Sequence, residues 1–298
     1  MSTFRPLLIL SLLSFLPPPH AREAPTPAPP AERCEAVRSD SSLDPPARSG
    51  AADPPPPTGE APDRSLRPNE PRDFRPLSER RFDRLEEDGW RADLENPNLS
   101  LTTDRSAPVS GPRVGEIRFP AGSEGGRTPA WSENWSIREA CVTELYVSFW
   151  VKLSENWQGH PSGVNKITFF WIHDDPAVFA AYHGSGRGPL SGVVYLQNVP
   201  DGGSRLRANV GRWPTDRGDW HHWEVLLISN TGSDRNGEVH WWIDGTKLGE
   251  HTNLRFGTAE QGSTWERVAW RPIWGGLDGR VAEDMYMRMD RIYISGRP

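Results

Sequence analysis

Lysine, cysteine and long apolar runs are all scarce in this chain. Only Lys152, Lys166 and Lys247 are found among 34 lysines and arginines in 298 residues, and the net charge is −6. No basic field exists to draw in a phosphate backbone, so nucleic acid is not an expected partner. The preference for arginine has two readings, the codon usage of a GC-rich genome and bidentate recognition of carboxylates. The run Leu7 to Leu16 follows Arg5 and is too short to cross a bilayer. Met1 to Ala21 therefore reads as a secretory signal, and no other segment could span a membrane. The expected location is secreted, periplasmic or at the cell surface.

Two cysteines, Cys34 and Cys141, permit one disulfide in an oxidising compartment. Cys34 lies in a proline-rich segment and Cys141 just before a strong strand pattern, so a bridge would tie a tail to a sheet. The expectation is a buried Cys141 thiol and an unpaired Cys34.

What the chain does have is unevenly placed. All 14 Trp fall between Trp90 and Trp274, whereas most of the 30 Pro precede Arg72. Residues 22–72 run through PTPAPP, DPPARSG and DPPPPTGE, which favours extended polyproline conformations and holds too few apolar side chains to fold. They read as a disordered linker ahead of one folded domain, 73–298. Residues 78–88 suit either a short helix or the lead into a first strand.

In that domain, Leu145, Val147, Phe149, Val151 and Leu153 alternate with Tyr146, Ser148, Trp150 and Lys152. Successive side chains in a strand point to opposite faces, so the first set reads as core. The second set is either a half-buried outer face or a sugar-binding one. Further strands are expected at 166–173, 192–199, 206–210, 220–229, 238–244 and 285–295, with short apolar runs at 99–102 and 114–119 as edge strands. Many strands between Gly, Asn, Asp and Pro turns predict an all-β, two-sheet antiparallel β-sandwich or jelly roll.

The stretch WHHWEVLLISNTGSDRNGEVHWWIDG, 220–245, resembles the paired strands near the end of concanavalin A-like lectin/glucanase domains. There an aromatic-led strand, a Gly/Asp/Asn hairpin and an aromatic-aliphatic-Asp-Gly turn recur. MYMRMDRIYIS, 285–295, resembles their last strand. Lectins, hydrolases, lyases and laminin-G-like modules share this pattern, so it implies a fold and not an activity. Within the superfamily the Asn165-Lys166 strand entry and the loop NWQGHPSG, 156–163, are similar to polysaccharide lyases. Departures accompany the likeness. Trp171-Ile172-His173 stands where alginate-lyase-type members carry Gln-aliphatic-His, and neither Arg-x-Glu-x-Arg nor Tyr-x-Lys-x-Gly-x-Tyr is present.

A uronate lyase needs a group that binds the carboxylate and acidifies the C5 proton, a base and an acid. The residues able to do so are Asn165, Lys166, His173, Tyr182, His183, Gln197 and Arg288. The resulting expectation assigns carboxylate binding to Lys166 or Asn165 and proton transfer to His173 or Tyr182. Lys166 and His173 differ by an odd number of positions, so they share a face only if a bulge intervenes. Trp150, Lys152, Trp157, Gln197, Trp213 and Arg288 complete the expected substrate-binding set, with Arg205, Arg207, Arg212 and Arg217 as a basic cluster that suits an acidic glycan or a solvated face. A carboxylate triad Glu-x-Asp-x-x-Glu is absent, which argues against a retaining hydrolase. Adjacent His221 and His222 point opposite ways along a strand, so no metal site is assigned. Asp174, Asp175, Asp201 and Asp244 would suit a structural calcium, and turn chemistry accounts for them equally. The expected protein is a secreted, monomeric polysaccharide lyase acting on an acidic extracellular polysaccharide by β-elimination. The alternatives are a non-catalytic glycan-binding module and a structural adhesion domain.

Overall fold

The computed structural model describes residue 34 and residues 64–87, 89–172, 177–200 and 203–298. The described chain is a β-sandwich of two antiparallel eight-stranded sheets. The first sheet runs β14 (Thr246–Leu254), β13 (Gly237–Ile243), β12 (Trp220–Ile228), β6 (Glu144–Leu153), β16 (Met285–Arg297), β4 (Arg113–Phe119) and β3 (Leu99–Thr103), with β1 (Arg75–Arg80) also pairing with β16. The second runs β10 (Ser204–Leu206), β9 (Leu190–Gln197), β8 (Ala177–His183), β7 (Val164–Trp171), β15 (Arg267–Trp274), β5 (Ser132–Asn134) and β2 (Trp90–Ala92), with β11 (Pro214–Thr215) on the edge of β9. Residues 75–80 are thus strand, not helix. The strand expected over 206–210 ends at Leu206, because residues beyond it turn to bond the Leu248 carbonyl of the first sheet.

The alternation in β6 places Leu145, Val147, Phe149, Val151 and Leu153 between the sheets. They meet Ile167, Phe170, Val178 and Val194 of the second sheet in one continuous core. Each such side chain taken out of water stabilises the sandwich by roughly 1.5–3 kcal/mol.

Two expectations at the N-terminal side are corrected. Cys34 and Cys141 are joined in a disulfide, with their Cα atoms 5.4 Å apart. Cys141 follows the turn Ser136–Ala140 with φ 49°, at a corner of the sandwich and not within a strand, where a preceding segment can reach it. Described residues ahead of the boundary expected at 73 also pack on the sandwich. Arg67 lies over the Tyr293 ring at 3.8 Å and pairs with Glu70, whose carboxylate accepts the Tyr293 hydroxyl at 2.8 Å. Asn69 donates from its backbone and side chain to Glu224, which also accepts the Tyr146 hydroxyl. These polar anchors hold a strap across the outer face of the first sheet without needing an apolar run. Among the described residues no helix is long and apolar enough to cross a membrane.

Candidate functional site

The outer faces of the two sheets differ in what they leave open. On the first, Trp150 stacks on His222 at 4.7 Å and Ser148 bonds the same imidazole at 2.8 Å. Lys152 pairs with Asp104 at 3.1 Å, and Arg288 is shared between Asp104 and Glu116. Trp150, Lys152 and Arg288 each have partners on the sheet opposite Lys166 and Gln197, and Arg288 lines a separate depression of about 420 Å³ there. They cannot line one groove with those residues, which corrects the expected substrate-binding set.

The second sheet carries an aromatic ladder on its outer face. Trp171 stacks on Phe169 at 4.9 Å, Phe169 meets Phe179 at 5.0 Å, and Phe179 stacks on Tyr195 at 5.0 Å. Register explains the row, since Phe169 faces Phe179 across β7 and β8, and Phe179 faces Tyr195 across β8 and β9. Small residues, Ala177, Ala181 and Ala269, flank it and leave space. Two depressions of about 420 and 430 Å³ open on this face and share Gln197, forming one trough.

Lys166 joins this face through a bulge. The β7–β8 register shifts between Lys166 and Thr168, so Lys166 lies on the same side as Phe169 and Trp171 despite the odd spacing to both neighbours of the ladder. Its ammonium sits 5.5 Å from the Phe169 ring centroid and 4.8 Å from that of Phe179, and donates to Gln197 Oε1 at 3.3 Å. Burial lowers its pKa.

At the end of β8, three groups converge. Tyr195 Oη is 3.4 Å from His183 Nδ1, and Arg205 Nη1 lies 2.8 Å from Nε2 and 3.1 Å from Nδ1 of the same ring. Burial first, and then the Arg205 charge, pushes the His183 pKa down, so the imidazole is neutral at neutral pH. Burial raises that of Tyr195, which keeps its proton. Gly163, at φ 79°, makes room for the ring: a Cβ there would stand 2.7 Å from His183 Cε1. A neutral base, a protonated phenol and a cation meet above an apolar floor. That set can accept a proton, donate one and hold a carboxylate.

Other expected residues lie elsewhere. Tyr182 points between the sheets, fully buried, and accepts the Trp223 indole N–H at 3.0 Å. Burial raises its pKa, and no face of the molecule exposes its hydroxyl, so it is not the proton carrier. Asn165 is also interior. Its oxygen accepts the His160 N–H at 3.1 Å, and its amide donates to the carbonyls of Tyr182 and Gly184, fixing the loops beside the trough and not touching its floor. Trp157 is fully buried against Phe119 and not a loop platform. Trp213 is partly exposed, just before β11 on the edge of the second sheet. His173, Asp174, Asp175 and Asp201 lie outside the described residues. Asp244 is engaged by His221 at 2.7 Å and by the His222 N–H at 2.8 Å in its turn. Among the described residues no three His, Cys, Asp or Glu side chains converge as metal ligands.

Sequence reasoning named His183, Gln197 and Arg205 but missed Tyr195 and the ladder. The parity of β9 would have found Tyr195, since it is two positions from Gln197 on the same face.

No family model matches the chain, and no curated protein matches it. Solved structures do. A variant of alginate lyase Aly36B in complex with an alginate trisaccharide superposes with a TM-score of 0.53 at 16% identity, covering 74% of this chain and 98% of that one. Alginate lyase Aly36B itself gives 0.50 at 17% identity over 67% and 86% of the two chains. A marine PL-14 alginate lyase from Aplysia kurodai gives 0.49 at 15% identity over 65% and 86%. The first two likenesses establish the fold: this chain is a two-sheet jelly-roll sandwich of the architecture these alginate lyases have.

Proposed function

We propose that this protein is an exported polysaccharide lyase whose second-sheet trough binds an acidic polysaccharide and cleaves it by β-elimination. The observation that carries the reading is the convergence of His183, Tyr195 and Arg205 beside Lys166 and Gln197. Arg205, with Lys166 and Gln197 further along the floor, holds the uronate carboxylate and stabilises charge that develops as C5 loses its proton. His183, neutral, takes that proton. The C5–H electron pair forms the C4–C5 double bond, the C4–O4 bond breaks, and Tyr195 protonates the departing oxygen. Base and acid 3.4 Å apart on one side of the sugar suit elimination with C5–H and C4–O4 on the same face. The disulfide supports export, because such bonds persist in oxidising compartments.

A second reading is a non-catalytic glycan-binding module. Its support is that Arg205 is within reach of both nitrogens of His183 and competes with a substrate for them.

The test is ultraviolet absorbance of the unsaturated uronate product while the full chain is incubated with alginate, glucuronan, pectate and glycosaminoglycans. A rise abolished by His183→Ala and by Tyr195→Phe supports the lyase. Retained binding to one polymer with no rise on any of them would leave the binding module and remove the enzyme.

A further inference from the structure

Trp135 lies beyond β5 and shares the outer face with Glu133, two positions earlier. The Arg267 guanidinium is sandwiched between two indoles, 4.1 Å from the Trp135 ring and 3.9 Å from that of Trp171. Glu133 pairs with Arg267 at 3.2 Å and with Arg271 at 3.4 Å, pinning the cation in place. Trp171 and Arg271 both line the trough, and Trp135 lies just past them, against the Arg267 that touches Trp171.

Trp135 differs from the rings of the floor. Trp171, Phe169, Phe179 and Tyr195 turn their faces to one another and present edges outward. Trp135 is 37% exposed, with the Arg267 guanidinium 4.1 Å from its ring. An exposed aromatic side chain whose ring rests on a pinned cation is a platform that costs little entropy to use.

The site stands apart from the reacting groups. His183 faces Val164 and Arg267 faces Trp171, at opposite ends of β7. Seven steps at about 3.3 Å put the two ends roughly 20 Å apart. We propose that Trp135 is a distal subsite that stacks on a pyranose ring several units from the bond being cleaved, so that it strengthens binding of long chains and leaves short ones unaffected. This inference rests on the polysaccharide-binding reading of the trough.

The test compares Trp135→Ala and Trp135→Phe with the unaltered full chain. Steady-state rates are measured on the uronate polymer the protein cleaves and on its trisaccharide, and polymer affinity is measured calorimetrically. Trp135→Ala is expected to raise KM and Kd for the polymer by roughly three- to tenfold, with kcat and the trisaccharide KM within about twofold. Trp135→Phe recovers most of the loss, and the melting temperature is unchanged. An unchanged polymer KM, or an equal loss on the trisaccharide, overturns the subsite. If the unaltered protein binds polymers without cleaving them, the lyase reading fails and the subsite is judged on Kd alone. If it binds none of them, both readings fall.

Discussion

Arg205 Nη1 lies 2.8 Å from His183 Nε2, a permanent cation that disfavours protonation of the ring beside it. Burial and this charge act in the same direction on His183, and both hold its pKa below the ordinary 6.5. Tyr195, 3.4 Å away, is pushed the other way by burial. Two titratable groups whose environments move them apart are suited to opposite roles as base and acid.

A pH profile reads this arrangement directly. A base with a lowered pKa stays deprotonated further into acid, so the acid limb of kcat/KM is expected below pH 6.5. The alkaline limb is expected above the ordinary tyrosine value of 10.0. Arg205→Gln removes the repulsive charge and moves the acid limb upward, along with a fall in kcat/KM. An acid limb that stays put in that variant would show that Arg205 does not act on His183.

Lys166 is expected to matter for substrate and not for folding. Lys166→Met keeps a long apolar stem over Phe169 and Phe179 but removes the charge. Activity on a uronate polymer should fall by about 10²-fold, the scale of losing one preorganised electrostatic group. The melting temperature should hold or rise, since the partly buried ammonium no longer has to be desolvated. Thermal melts alongside rates separate the two effects.

Tyr182→Phe distinguishes an interior tyrosine from a catalytic one. The Trp223 indole N–H loses its acceptor in a dry interior, and unfolding free energy is expected to drop by about 1–2 kcal/mol. Activity of the folded fraction should be unchanged, whereas Tyr195→Phe should abolish it without a comparable loss of stability. Denaturant titration and the product assay on both variants check the contrast.

Removing the disulfide tests the attachment of the N-terminal segment. Cys34→Ser opens a link between residues 107 apart and should lower stability by roughly 2–4 kcal/mol under oxidising conditions. A reductant should bring the unaltered protein to the same melting temperature and leave the variant unaffected.

Asp104 supplies the acid sensitivity of the opposite sheet. Burial alone would raise its pKa, but hydrogen bonds from Ser106, Lys152 and Arg288 outweigh this and hold it well below 3.8. A depressed carboxylate contributes stability above its unfolded pKa and loses it as pH falls toward the folded one. Stability should therefore decline as pH drops below about 4, and Asp104→Asn should flatten that decline at the cost of stability near neutrality. Melting temperatures from pH 2 to 7 measure both.

Much of the sandwich was legible from alternation alone. β6, β12, β13 and β16 follow the expected strands closely, because a face buried against another sheet imposes a period of two on the side chains. β8, AVFAAYH, was not legible, since a strand buried on both faces shows a continuous apolar run without alternation. β15 contains Pro272, which argues against a strand; the register shift between Trp270 and Ile273 accommodates it as a bulge. The polar strand β14 lies at the sheet edge, where one row of backbone groups is open and no apolar pattern is required.

By itself, then, the sequence determined that this is a two-sheet jelly roll, which residues of the long alternating strands form its core, and that the chemistry available to it is that of cations, imidazoles and phenols. Only the tertiary structure decided which of those groups meet. That Tyr182 faces inward depends on the parity of β8, and a strand buried on both sides does not announce it. The alignment of Lys166 with the ladder depends on one bulge, and the pairing of Cys34 with Cys141 joins residues 107 apart in the chain. Each is a long-range relation among residues far apart in the chain. A periodic pattern reports only the local direction of a side chain, and which partner it finds across the sheet is set by how the strands register.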